Sequence, residues 1–62
     1  MISYYSYDAS THTLIITFVS GMIYHYKNFP ESVYERMKKV SSKGIFFNRY
    51  IKDKYEFERI ED

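Results

Sequence analysis

Sixty-two residues, a formal charge of +1 and no cysteine leave room for one domain, spanning residues 1–62, with no disulfide and no thiolate metal site. A chain this short buries only about 60% of the surface its unfolded form exposes, so the core has to be dense. Eight tyrosines and five phenylalanines supply the bulk, at roughly 150–250 Å² buried per well-packed ring. The longest apolar run, Leu14 to Val19, is interrupted by Thr17 and falls far short of the ~20 residues that span a bilayer. Met1-Ile2-Ser3-Tyr4-Tyr5 lacks the basic start and apolar centre of a signal peptide. The expectation is a cytoplasmic protein with no membrane association.

Ile2 to Asp8 alternates and is rich in tyrosine, which suits a strand, and Asp8 to Thr11 reads as a turn. His12 to Val19, β-branched and apolar, is the best strand in the chain. Ser20-Gly21 breaks it, and Met22 to Lys27 forms a third. Pro30 opens a helix, since its missing N–H costs nothing at a first helical position. Val33, Tyr34, Met37 and Val40 then share an arc of about 120°. Glu31, Glu35 and Lys39 lie opposite, with Glu35 and Lys39 spaced as a favourable ion pair. Ser41-Ser42 ends this helix and caps a second, in which Phe46, Phe47, Tyr50 and Ile51 share an arc of about 140° and are read as core. Residues 55–60 alternate again, as either a short fourth strand or an extended tail. The expected fold is α+β: a small three-stranded antiparallel meander with two short helices packed on one face and room for an extra C-terminal strand.

The turn at Ser20-Gly21 decides where two tyrosines point. A two-residue turn pairs Val19 with Met22 and puts Tyr24 and Tyr26 on the face of Ile15 and Thr17. A three-residue turn with a bulge at Gly21 pairs Phe18 with Met22 and puts them with Leu14, Ile16 and Phe18. The first arrangement drives Lys27 toward the core, which is costly. The second is therefore favoured, with Tyr24 and Tyr26 in the core and their hydroxyls wet.

The net charge conceals an asymmetry. Residues 36–54 hold seven basic side chains against Asp53 alone, a segment charge of +6 that leaves −5 for the rest of the chain. Clustered cations attract phosphates. Asn48, Arg49 and Lys52 face away from the aromatic arc of the second helix, with Ile45 beside them. Such a surface is either a nucleic-acid contact or an ordinary solvated face. Lys43-Gly44 stands at a helix start, where free N–H groups favour anions; alternatively, Gly44 permits a tight corner and Lys43 is solvated. Catalysis has little to rest on. Tyr50 and Lys54 form a Tyr-x-x-x-Lys without room for a dinucleotide fold. His12 and His25 lack the spacing of a metal site, so neither metal nor cofactor is expected.

In order and spacing, Tyr7-Asp8, Leu14, Phe18 and Gly21, Tyr24-His25-Tyr26, Pro30, Glu31, Val33 and Tyr34, then Ser42, Gly44, Phe47, Asn48, Ile51 and Tyr55 make a specific pattern. It resembles the KTSC domain family, found at the C-terminus of some lysyl-tRNA synthetases and as a stand-alone small protein. The resemblance runs over nearly the whole chain. Ser6 departs from it, standing where a glycine often precedes the Tyr-Asp. The family implies RNA binding and carries no catalytic residues to transfer.

The functional expectation is a small non-catalytic module that binds tRNA-like or single-stranded RNA through a basic helical surface. Lys39, Lys43, Arg49 and Lys52 would contact phosphates and Asn48 a base edge or sugar. Tyr24 and Tyr26 would stack on bases only if the register exposed them. The alternative is a protein-interaction or accessory module of bacterial or phage type, a homodimer or a subunit of a larger complex. It would use the open sheet face and the acidic tail Glu56, Glu58, Glu61 and Asp62, with no nucleic-acid contact.

Overall fold

A computed structural model describes residues 1–60. One antiparallel sheet contains β1 (Ile2–Asp8), β2 (Thr13–Phe18), β3 (Ile23–Tyr26) and β4 (Phe57–Ile60), in spatial order 1-2-3-4. Between β3 and β4 run α1 (Glu31–Lys39), α2 (Lys43–Phe46) and a π-helical turn over Phe47–Ile51 that continues α2. The meander and the two helices are as expected, and the C-terminal segment is a strand that pairs with β3. The acidic tail residues Glu61 and Asp62 lie outside the described residues.

The turn takes the three-residue form. Phe18 N–H donates to Met22 O at 2.9 Å, Gly21 N–H donates to Phe18 O at 2.8 Å, and Gly21 has φ +96°. Only glycine enters that region at little cost. Leu14 then faces Tyr26, and Ile16 faces Tyr24. In β1, Tyr7 and Tyr5 face Leu14 and Ile16, and a bulge between Ile2 and Tyr4 returns Ile2 to Phe18. Directly paired residues share a sheet face, so these side chains all point to the helical side.

The core on that side comprises Leu14, Ile16, Tyr26, Phe29, Met37, Phe46, Phe47 and Ile51. Val33 and Tyr34 of α1 and its C-cap Val40 pack against it, as their spacing predicts. Phe29 sits in a loop yet is fully buried. Its N–H donates to His12 O at 2.8 Å, its carbonyl accepts from the Tyr7 hydroxyl at 2.5 Å, and its ring lies 4.7 Å from that of Tyr55.

Three local expectations need correcting. Pro30 is the N-cap of α1 rather than its first residue; its ψ of 135° is extended, and its carbonyl accepts from Val33 and Tyr34. Glu35 pairs with Lys38 at 3.3 Å, not with Lys39. Tyr50 is 42% exposed rather than core. The reason is the π turn, closed by Lys52 N–H donating to Phe47 O at 2.9 Å. An i→i+5 turn is wider than an α turn, so Tyr50 falls short of the buried arc while Ile51 fills it.

Candidate nucleic-acid interface

Ser42 caps α2 as its sequence position predicts, accepting from Ile45 N–H at 3.2 Å. This fixes where the helical segment starts and hence which side chains leave the core. Phe46, Phe47 and Ile51 go inward; Ile45, Asn48, Arg49 and Lys52 go outward.

The basic residues divide by task. Arg36 lies over the rings of Phe46 and Tyr50, at 5.5 and 5.1 Å from their centroids, and so ties α1 to the second helical segment. Lys38 pairs with Glu35 and lies 5.3 Å from the Tyr34 ring. Lys43 is not aimed at the start of its own helix. Its ammonium donates to Val40 O at 2.6 Å and to Lys38 O at 3.4 Å, at the C-terminal end of α1. That geometry occupies Lys43 in holding the α1–α2 corner and speaks against the phosphate role read from Lys43-Gly44. Gly44 fits the corner for a steric reason: a Cβ there would meet the Met1 sulfur at 3.3 Å.

Lys39, Arg49, Lys52 and Lys54 are exposed, and among the described residues none forms an ion pair. The outward residues of the second helical segment split across a ridge. Arg49 borders a shallow depression of about 260 Å³ with Val40, Ser42, Ile45 and Tyr50. Asn48 and Lys52 border a larger concavity of about 500 Å³ on the other flank.

The larger concavity lies between the π turn and the β2–β3–β4 end of the sheet. Phe18, Tyr24, Tyr26, Phe47 and Phe57 line it, with Ser20, Asn48, Lys52 and Asp53 as its polar members. Phe18 and Phe47 meet edge to face at 5.4 Å. Phe57 lies parallel to Tyr24 at 5.3 Å and is itself half exposed. Tyr26 is only 3% exposed and offers no open stacking surface. Burial, reinforced by Tyr24 and Asp53, pushes its hydroxyl up to about 12. Tyr24 is half buried with Phe57 stacked against it, so neither tyrosine is the open platform of the alternative register. Phe57 was absent from the sequence-predicted site. Its position opposite Tyr26 follows only from β3–β4 pairing.

Elsewhere the Tyr7 hydroxyl is raised, first by desolvation and then by Glu31 and Asp8. Asp8 is lowered, chiefly by the hydrogen bond from the Ser10 hydroxyl at 2.7 Å. Among the described residues no group of three His, Asp or Glu side chains could hold a metal ion, and no helix is long and apolar enough to cross a membrane.

A four-stranded antiparallel sheet with its helices gathered on one face defines a small α+β domain. The chain belongs to the KTSC domain family, whose pattern matches residues 1–55. It is 43% identical over 60 residues to a lysine–tRNA ligase of Nostoc punctiforme, an alignment covering 97% of this chain and 11% of the ligase. A lysine–tRNA ligase of Trichormus variabilis is 38% identical over 56 residues, covering 90% of this chain and 10% of that one. The chain thus spans about a tenth of the length of these relatives. The crystal structure of a KTSC domain protein from Yersinia pestis superposes with a TM-score of 0.90 at 33% identity, covering 97% of this chain and 84% of that one.

Proposed function

We propose that this domain is a non-catalytic RNA-binding module that uses the outward surface of its helical segments. The observation that carries the reading is the set of cations left over once structural tasks are assigned. Arg36, Lys38 and Lys43 are engaged within the fold, whereas Lys39, Arg49, Lys52 and Lys54 are exposed without ion-pair partners among the described residues. Cations held this way neutralise phosphates and release counterions on binding. Asn48 lines the aromatic concavity, where it would meet a base or sugar. The kinship with a segment of lysine–tRNA ligases makes tRNA and single-stranded RNA the ligands to try first.

The test is titration of labelled tRNA and single-stranded RNA at several salt concentrations. Affinity should fall with salt, and Arg49→Ala/Lys52→Ala should flatten the logarithmic slope by about 1.4 on a single strand. Binding no tighter than that of an unrelated protein of similar charge refutes the proposal.

A second reading has its own support. The sheet face opposite the helices carries the cross-strand row Tyr4, Thr17, Ile23 and Ile60, with Ile15 beside it. Tyr4 is 64% exposed. An apolar row of this kind suits a protein partner or a second copy, and light scattering at high concentration tests the second copy.

A further inference from the structure

Resting on the RNA-binding reading, we infer that the concavity between the π turn and β3–β4 receives one unpaired base of a single-stranded RNA, with Lys52 holding an adjacent phosphate. Its volume of about 500 Å³ falls within the ~300–1,000 Å³ of small-ligand pockets. Its walls are aromatic, and aromatic faces stack on any unpaired base. Phe57 is the ring best placed for this. One face rests on Tyr24 with an interplanar angle of 5°, while half of the residue stays in solvent. The ring also tilts against Tyr26 at 5.6 Å, so it is backed by two tyrosines and still leaves a large apolar surface wet.

The polar members give the site direction. Asn48 lies in the π turn and Lys52 caps its end, and both line the concavity. Asp53, which also lines the concavity and acts electrostatically on Tyr26, repels a phosphate there while leaving a neutral base unopposed. The arrangement suits a base inserted among the rings and a backbone kept outside at Lys52. A duplex, whose bases are paired and stacked, has nothing to insert.

The experiment uses a single-stranded RNA octamer carrying 2-aminopurine, followed by fluorescence and by anisotropy. Wild type should quench 2-aminopurine on binding and prefer the single strand to its duplex. Phe57→Ala should weaken binding about fivefold or more and abolish the quench. Because no cation is removed, the salt slope should stay that of wild type. Phe57→Tyr should keep both affinity and quench, and a thermal melt confirms that each variant is folded. If wild type binds with normal salt dependence but Phe57→Ala matches it, or the duplex binds as well, the base pocket is refuted and the basic surface stands. Saturation by a free mononucleotide at the same concentration also overturns the inference, since the strand would then be irrelevant. If wild type shows no salt-dependent binding, the RNA reading itself falls and takes the pocket with it.

Discussion

Replacing Lys43 with methionine separates its structural task from a phosphate contact. Methionine preserves the apolar stem against the α1–α2 corner and removes only the ammonium. In the native corner that ammonium donates to Val40 O at 2.6 Å and to Lys38 O at 3.4 Å, with the Tyr5 ring centroid at 6.0 Å. The last carbonyls of a helix have no intrahelical partners. A cation there stabilises by about 0.3–1 kcal/mol, rising to about 2 when partly buried, and hydrogen bonds to charged groups contribute about 1.5–3 kcal/mol. Water replaces part of this in the variant, which leaves a loss of about 1–2 kcal/mol. For a domain of this size that lowers Tm by roughly 8–15 °C. Thermal and urea unfolding followed by far-ultraviolet circular dichroism measure it. Lys39→Met is the control, at an exposed position on the same helix end, and should stay within about 0.5 kcal/mol of wild type. In RNA titrations Lys43→Met should keep the wild-type salt slope. An unchanged Tm together with a flatter slope would show that Lys43 serves the ligand and not the corner.

Two further outcomes are expected. Gly21→Ala should cost about 1 kcal/mol or more, because φ is +96° although a Cβ there meets nothing within 4 Å; an unchanged urea midpoint would mean that the turn relaxes freely. The Tyr26 hydroxyl, pushed up to about 12 in the fold from an ordinary value of about 10, favours folding while protonated. Its contribution is complete below pH ~10 and is lost as pH rises toward 12. Wild type should therefore lose stability relative to Tyr26→Phe as pH rises from about 10 to about 12, and parallel curves for the two proteins would contradict the buried hydroxyl.

The parts readable from sequence were those governed by local chemistry. The tyrosine-rich alternation of Ile2–Asp8 coincides with β1, and the cost of burying Lys27 selected the register that the structure adopts. In that register Lys27 reaches Glu58 at 3.4 Å on the open side. Ser42 as a cap needed only its own position. What could not be read depended on distant partners or irregular turns. Phe29 belongs to no periodic segment, so nothing near it signals that three other parts of the chain enclose it. Tyr50 obeys the α-helical period in sequence but sits in a turn of a different period. The charge count found a basic segment but not its internal division. Lys43 and Arg36 look no different from Lys52 until the carbonyls and rings they occupy are in place.

The pairing of β4 with β3 has a consequence for how the concavity is assembled. The family pattern matches residues 1–55, and one of the five rings lining the aromatic concavity, Phe57, lies beyond it. Substitutions in residues 57–60 can reshape that wall while the core residues Leu14, Ile16, Met37 and Ile51 stay as they are. The rest of the lining, including Phe18, Tyr24, Tyr26, Phe47, Asn48, Lys52 and Asp53, lies within the family-matched stretch, so β4 completes a concavity that residues 1–55 have already begun.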